Sequence, residues 1–324
     1  MKLLMMGTGP FAVPTLEALL ASGHQTPALV TRPTPPARGR RKSPANPMRD
    51  AAERHGLPVF DPADINSQEG REIIASLKPQ LLVVCDYGQI LSRECLGIAD
   101  LGGINLHASL LPKYRGAAPI NWAIYHGDAQ TGVTVIHMTP RMDAGPCLLQ
   151  KATPIGPDED AVELERRLAE MGAAAVLESI DLLADWDGTS PLGEVQDAGQ
   201  ASKARRLRKE DAVVDWSRTA RQIRDQVRAF KPWPGAYTHL LRDDGEPLRL
   251  ILDAVSVVDA ADDDKGEANP GEIVHADGHR VEVATGAGRL ALDRIQPAGK
   301  RVMEMDEFLR GHKLQPGQRL GTPP

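Results

Sequence analysis

Cysteine is scarce in this chain: Cys85, Cys95 and Cys147 are the only three in 324 residues. They form no CxxC pair, and an odd number cannot complete a disulfide framework, so a secreted, disulfide-stapled scaffold is excluded and a reducing cytosol is the expected setting. All three are expected as buried structural thiols. Aromatic residues are also few, at 4%. The core must therefore rest on Leu, Val, Ile and Ala, which suits helices packed on a parallel sheet better than a sandwich. No apolar run approaches the roughly 18 residues of a membrane span. The opening MKLLMM ends at Gly7, too soon for the core of a signal peptide, so a soluble, cytoplasmic protein is expected.

A positive excess is lacking as well. The formal charge is −6, which on its own argues against a nucleic-acid partner. The balance is uneven, however. Residues 32–49, RPTPPARGRRKSPANPMR, carry Arg32, Arg38, Arg40, Arg41, Lys42 and Arg49 with no acid, and residues 203–231 carry ten Lys or Arg against four acids. Two basic islands on an acidic chain predict a localised anionic partner.

What is present is alternation. Short apolar runs at 3–6, 27–30, 80–85, 103–106 and 132–138 are separated by segments with helical spacing, the pattern of an α/β, Rossmann-like, doubly wound and mainly parallel sheet. A long helical pattern covers about 158–186. The polar, Gly-, Pro- and Ser-bearing stretch 188–206 then reads as a linker. A helix candidate, TARQIRDQVRAF, and several short alternating runs follow, which predict a smaller OB-like β-barrel over 207–324.

The turn after the first run, Gly7-Thr-Gly-Pro-Phe-Ala12, fits GxGxxA. The acid that a dinucleotide fingerprint requires some 20 residues on is replaced by LVTRPTPP, so the reading is a tight strand-to-helix turn. Asn105 and His107 close the run GINLH and, at i and i+2, share one side of a strand. Asp143 lies in the loop RMDAGP after the run GVTVIHM. If those two strands are parallel neighbours, their ends lie side by side and the amide, imidazole and carboxylate converge. Ser109 has no GxSxG elbow around it, so the trio suits direct acyl transfer: Asn105 and a charged His107 stabilise an oxyanion while Asp143 holds the imidazole. The remaining histidines are scattered without metal-ligand spacing, and no metal site is expected.

The run NLHASLLPKYRGAAPINWAIYHGDAQTGVTVIHMTPRMDAGP resembles the signature of the folate-dependent formyltransferases. GTGPFAVPTLEALL, PARGRRK, VDWSRTARQIRDQVRAFKPWPGAY and QPAGK extend the resemblance over nearly the whole chain. It implies a catalytic domain over 1–187, with Asn105, His107 and Asp143 as catalytic residues. Ser109, Leu110, Leu111 and Pro112 would form the folate loop, with Tyr87 and Gly88 lining the pterin pocket. The likeness is to the branch that acts on initiator methionyl-tRNA, which implies formyl transfer from 10-formyltetrahydrofolate to the α-amine of the esterified methionine. No metal, nucleotide cofactor, membrane or obligate protein partner is expected. The resemblance also implies tRNA contacts from Arg38, Arg40, Arg41 and Lys42 in the basic loop. Arg205, Arg206, Arg208 and Lys209 would contribute in the OB-like domain, with Arg221, Arg224 and Arg228 as further phosphate contacts, and Trp233 is expected to pack. Two other readings remain open: a formyltransferase for a small amine, such as a nucleotide sugar or glycinamide ribonucleotide, and a non-enzymatic RNA-binding module.

Overall fold

The structure, a computed structural model, describes residues 1–36, 43–242, 245–258 and 268–323. The chain divides into two units. The first comprises Met1–Pro119, Gln130–Pro154 and Leu164–Arg205, and the second Ile120–Ala129, Ile155–Glu163 and Arg206–Pro324.

In the first half of the chain strands and helices alternate: β1 (Leu3–Gly7), α1 (Val13–Ala21), β2 (Leu29–Val30), α2 (Pro47–Arg54), β3 (Val59–Phe60), α3 (Gln68–Leu77), β4 (Leu81–Cys85), α4 (Arg93–Leu96) and β5 (Gly103–His107). Then come β6 (Arg115–Gly116), α5 (Pro119–Tyr125), β7 (Gln130–His137), β8 (Cys147–Pro154), α6 (Ala161–Ala184) and β9 (Lys203–Ala204). The main sheet has the order β3-β2-β1-β4-β5-β7-β8. Every residue of β1 and β4 is buried, as expected of central strands covered on both faces. Ser67 caps α3 by accepting from the Gly70 N–H, which meets one of the unpaired donors at the helix start.

Strands β3, β2, β1, β4 and β5 run parallel to their neighbours, whereas β7 is antiparallel to β5 and β8 to β7. The expected parallel pairing of the strands bearing His107 and preceding Asp143 is therefore corrected. The reason lies in the connection. Its only helix, α5, has seven residues, about 10 Å, too little to carry the chain back along the sheet for a parallel crossover. Strands β3 and β8 were not anticipated from the sequence.

Of the stretch expected as a linker, 188–206, residues up to Arg205 fall within the first unit. Glu194 and Cys147 exchange both backbone hydrogen bonds, and Ser202 N–H donates to the Pro112 carbonyl. Strand β9 pairs in parallel with β6. The stretch is a strap, not a tether.

The second unit is built on a curled antiparallel sheet. Its strands are β10 (Tyr237–Leu240), β11 (Leu248–Val258), β12 (Ile273–Ala276), β13 (Val281–Ala284), β14 (Arg289–Pro297), β15 (Met303–Glu304) and β16 (Leu320–Gly321). The order is β12-β13-β14-β11-β10-β16, with β15 on β14. Register shifts between Leu252 and Val255 bend β11 against β14, the usual effect of a bulge. Helix α7 (Ala220–Ala229) lays Ile223 and Val227 into the core with Leu250, Leu252 and Leu292, and α8 (Met305–Gly311) adds Phe308. Among the described residues no helix is long and apolar enough to cross a membrane.

Candidate active site

His107 ends β5, and it is 6% exposed. Its Nε2 lies 2.9 Å from the Tyr114 carbonyl. A carbonyl only accepts, so Nε2 carries the hydrogen and Nδ1 is the nitrogen turned to Asp143. Nδ1 and Asp143 Oδ1 are 3.8 Å apart, longer than a hydrogen bond. Two residues back on the same face of β5, Asn105 is half-buried. Among the described residues its amide has no side-chain hydrogen bond, which leaves two N–H donors available to a ligand.

Asp143 sits at φ +49 in the loop between β7 and β8, a left-handed conformation uncommon outside Gly, Asn and Asp. Its Oδ2 accepts from the Gly116 N–H at 2.8 Å. The peptide around it is held by Gln196, whose Nε2 donates to the Asp143 and Gly145 carbonyls at 2.9 and 2.7 Å. Gln196 Oε1 in turn accepts from Arg115 Nε and Nη2 at 3.0 and 2.7 Å. None of Tyr114, Arg115, Gly116 or Gln196 was picked out from sequence as a site residue. Arg115 and Gly116 stand in the RGAAP turn, but Gln196 lies in a polar stretch with no local pattern that marks it.

The loop 109–112 is folded back on the sheet. The Ser109 hydroxyl donates to the Lys113 carbonyl at 2.7 Å, and the Ser109 carbonyl accepts from Thr134 Oγ1. Thr134 Oγ1 accepts from the Leu111 N–H, and Gln150 Nε2 donates to the Leu111 carbonyl. Ser109 and Leu111 are buried, whereas Leu110 and Pro112 are half-buried. The side chains of Ser109 and Leu111 thus serve the loop's shape, and Leu110 and Pro112 remain for contact.

Strands β1 and β4 flank the point where the strand order reverses, the usual ligand position in such sheets. Asp86 follows β4 at φ +44. A Cβ on Gly9 would come within 1.7 Å of its Oδ2, so only glycine admits this carboxyl. Asp86 is exposed at the surface, but the protein packed around its carboxyl raises its pKa to about 6; burial also pushes up Glu165 on α6, which Asp86 raises further by its charge. Tyr87 is buried with its hydroxyl unpartnered among the described residues, and burial drives its pKa up. Gly88 beside it is exposed.

Burial likewise raises the thiols of Cys85 and Cys147. Cys147 is half-buried, unlike the fully buried Cys85 and Cys95. Among the described residues no group of three or more His, Cys, Asp and Glu is placed to hold a metal.

Of the basic candidates, Arg38, Arg40, Arg41 and Lys42 lie outside the described residues. Arg205 is exposed in the first unit, and Arg206, Arg208 and Lys209 are exposed in the second. Arg228 is not available to a phosphate. It is 8% exposed, with Nε on Asp225 Oδ1 at 2.9 Å and Nη1 on the carbonyls of Gly156 and Glu159. Arg221 and Arg224 line a cleft with Asp158, Val255, Ser256 and Val257. Trp233, expected to pack, is 49% exposed.

The family profile described as Formyl transferase matches residues 1–180, and that of the Formyl transferase C-terminal domain matches 206–313. Methionyl-tRNA formyltransferase of Rhodopirellula baltica is 46% identical over 331 residues, covering 100% of this chain and 97% of its own. The chain belongs to the methionyl-tRNA formyltransferase family. A second member of that family, from Citrifermentans bemidjiense, is 42% identical over 322 residues, covering 99% of this chain and 96% of its own. Among solved structures, an N-formyltransferase from Helicobacter canadensis in complex with folinic acid and dTDP-3-aminofucose superposes with a TM-score of 0.65 at 18% identity. It covers 90% of this chain and 98% of that one. At that identity the likeness is one of fold.

Proposed function

We propose that this chain transfers the formyl group of 10-formyltetrahydrofolate to the α-amine of methionine on initiator tRNA, with Asn105, His107 and Asp143 as the catalytic residues. One observation carries the chemistry: His107 and Asp143 face each other beside the loop 109–112, with the unpartnered Asn105 amide on the same strand face. The half-buried Leu110 and Pro112 and the orphaned Tyr87 hydroxyl fit a heterocycle with a polar edge, so these residues and Gly88 are assigned to the folate, which supplies the activated formyl group.

No side chain in this group is an activated nucleophile, so the substrate amine attacks the formyl carbon directly and no covalent enzyme intermediate forms. The charge that develops on the formyl oxygen meets the Asn105 amide and a protonated His107. Asp143 is assigned to hold that imidazolium and to take the amine proton; the tetrahedral intermediate then collapses by breaking the formyl carbon–N10 bond, and the proton passes to N10 as tetrahydrofolate leaves. The first unit is assigned to this chemistry. The second is assigned to the tRNA, with Arg206, Arg208 and Lys209 on its exposed surface, Arg205 next to them in sequence, and the Arg38, Arg40, Arg41 and Lys42 loop as a further contact. A tRNA substrate and three free cysteines together favour the cytoplasm.

The test is transfer of labelled formyl to charged initiator tRNA, beside uncharged tRNA and His107→Ala. Transfer to the charged tRNA alone is expected, with a loss of about a hundredfold or more in the variant. A folded wild-type protein that leaves the charged tRNA unformylated would redirect the assignment to a small amine acceptor.

A further inference from the structure

We propose that Gln196, gripped by Arg115, is a positioning residue that fixes the Asp143 carboxylate against His107, so that the strap 194–204 is a working part of the active site. The inference rests on the catalytic reading of Asp143 given above.

The amide of Gln196 has two donors and two acceptor lone pairs, and all four are used. Which end points where does not depend on an arbitrary choice of amide orientation. A guanidinium only donates, so Oε1 must face Arg115, and the two N–H groups are left for the Asp143 and Gly145 carbonyls. No other neutral side chain of this size can bridge a two-pronged donor to two carbonyls.

What is bridged matters as much. Asp143 is held in the left-handed region, a conformation that persists only when its surroundings over-determine it. Two restraints meet there. Gly116 N–H holds one carboxylate oxygen, which leaves the other toward His107. Gln196 holds the peptide carbonyl of the same residue. Both restraints start from the dipeptide Arg115–Gly116, which forms β6, and β6 is fixed by parallel pairing with Lys203–Ala204 of the strap. Gly116 itself is at φ +127, and a Cβ there would lie 2.5 Å from the Ala204 carbonyl, so the contact with the strap is as close as backbone allows. The ring of contacts closes: Asp143 to Gly116, Arg115 to Gln196, and Gln196 back to Asp143. Removing Gln196 frees the Asp143 peptide to relax from its positive φ and swing the carboxylate off line.

Gln196→Ala is expected to lower kcat about 10- to 100-fold, the scale of an ångström-level misplacement, with the KM for 10-formyltetrahydrofolate changed less than about threefold. Gln196→Glu keeps an acceptor for Arg115, and with it the anchor of the strap, but turns a second acceptor toward two carbonyls. Its kcat is expected to fall at least as far while its Tm stays near that of wild type. Because Gln196 acts through Asp143, the double variant with Asp143→Asn should be no slower than Asp143→Asn alone. The proposal is overturned if Gln196→Ala turns over within about threefold of wild type, or if its loss multiplies with that of Asp143→Asn. A Gln196→Glu variant that keeps wild-type kcat would overturn it as well. Amide hydrogen exchange supplies a readout independent of activity. Faster exchange confined to residues 138–146 in Gln196→Ala is expected, and unchanged exchange there sinks the proposal. A wild-type protein that fails to formylate charged tRNA would instead remove the functional reading, while the exchange experiment still decides whether Gln196 fixes the loop.

Discussion

Asp86 is exposed at the surface, yet its carboxyl lies against the bare backbone of Gly9, and the protein packed around that carboxyl raises its pKa from 3.8 to about 6. A folded-state value above the unfolded one means that the stabilising contribution is complete below about pH 4 and is lost as pH rises through 6. Replacing Asp86 by Asn, which does not ionise and tolerates the positive φ, should therefore raise Tm relative to wild type more at pH 7.5 than at pH 4. Parallel thermal melts at the two pH values check this, and a pH-independent difference would contradict it. Asp225 presents the opposite case. It is 4% exposed and bonds Arg228, itself buried. Asp225→Ala leaves a buried guanidinium without its counter-charge, with an expected loss of about 3–5 kcal/mol in denaturant unfolding. Residues of these kinds differ in how legible they are from sequence. Asn105 and His107 stand out as candidates by ending an apolar run at i and i+2, and Asp143 by its Gly- and Pro-flanked loop. Arg228 read as an exposed helix cation, because its partners at Gly156 and Glu159 come from some 70 residues earlier in the chain.

Helix α7 begins with a capping box, in which Thr219 Oγ1 accepts from the Gln222 N–H and Gln222 Oε1 from the Thr219 N–H. Thr219→Ala should remove about 1 kcal/mol of stability, measurable by chemical unfolding, because the helix is the element that covers Leu250 and Leu252 of β11. This helix and α6 were legible because apolar residues recur at helical spacing over ten and 24 residues. The central strands β1 and β4 were legible as unbroken apolar runs. Strand β8, CLLQKATP, was not, since it lies at the sheet edge and alternates half-buried with exposed residues, a pattern shared with loops. The direction of β7 was hidden for another reason: nothing within the strand reports it, and the length of the connecting helix decides it.

Over the whole molecule, a formal charge of −6 coexists with cations gathered at 32–49 and 203–231. Binding of tRNA should weaken steeply with salt, and Arg208→Ala/Lys209→Ala should reduce the slope of log Kd against log salt by about 0.7–0.9 for each phosphate no longer neutralised. A filter-binding series from low to moderate salt checks this, and an unchanged slope would remove those two residues from the interface. The strap has a consequence for the order in which the protein becomes competent. Asp143 meets Gln196 across 53 positions, and Arg115 meets it across 81, so these contacts are among the late ones that a growing chain can make. A ribosome-bound segment released only as far as residue 187 would already own the whole main sheet, with Asn105 and His107 in place, yet its carboxylate would be untethered. On the roles proposed for Asp143 and Gln196, catalytic maturity would arrive with the emergence of residues 194–204, and a fragment meant to test that chemistry should be cut after Arg205.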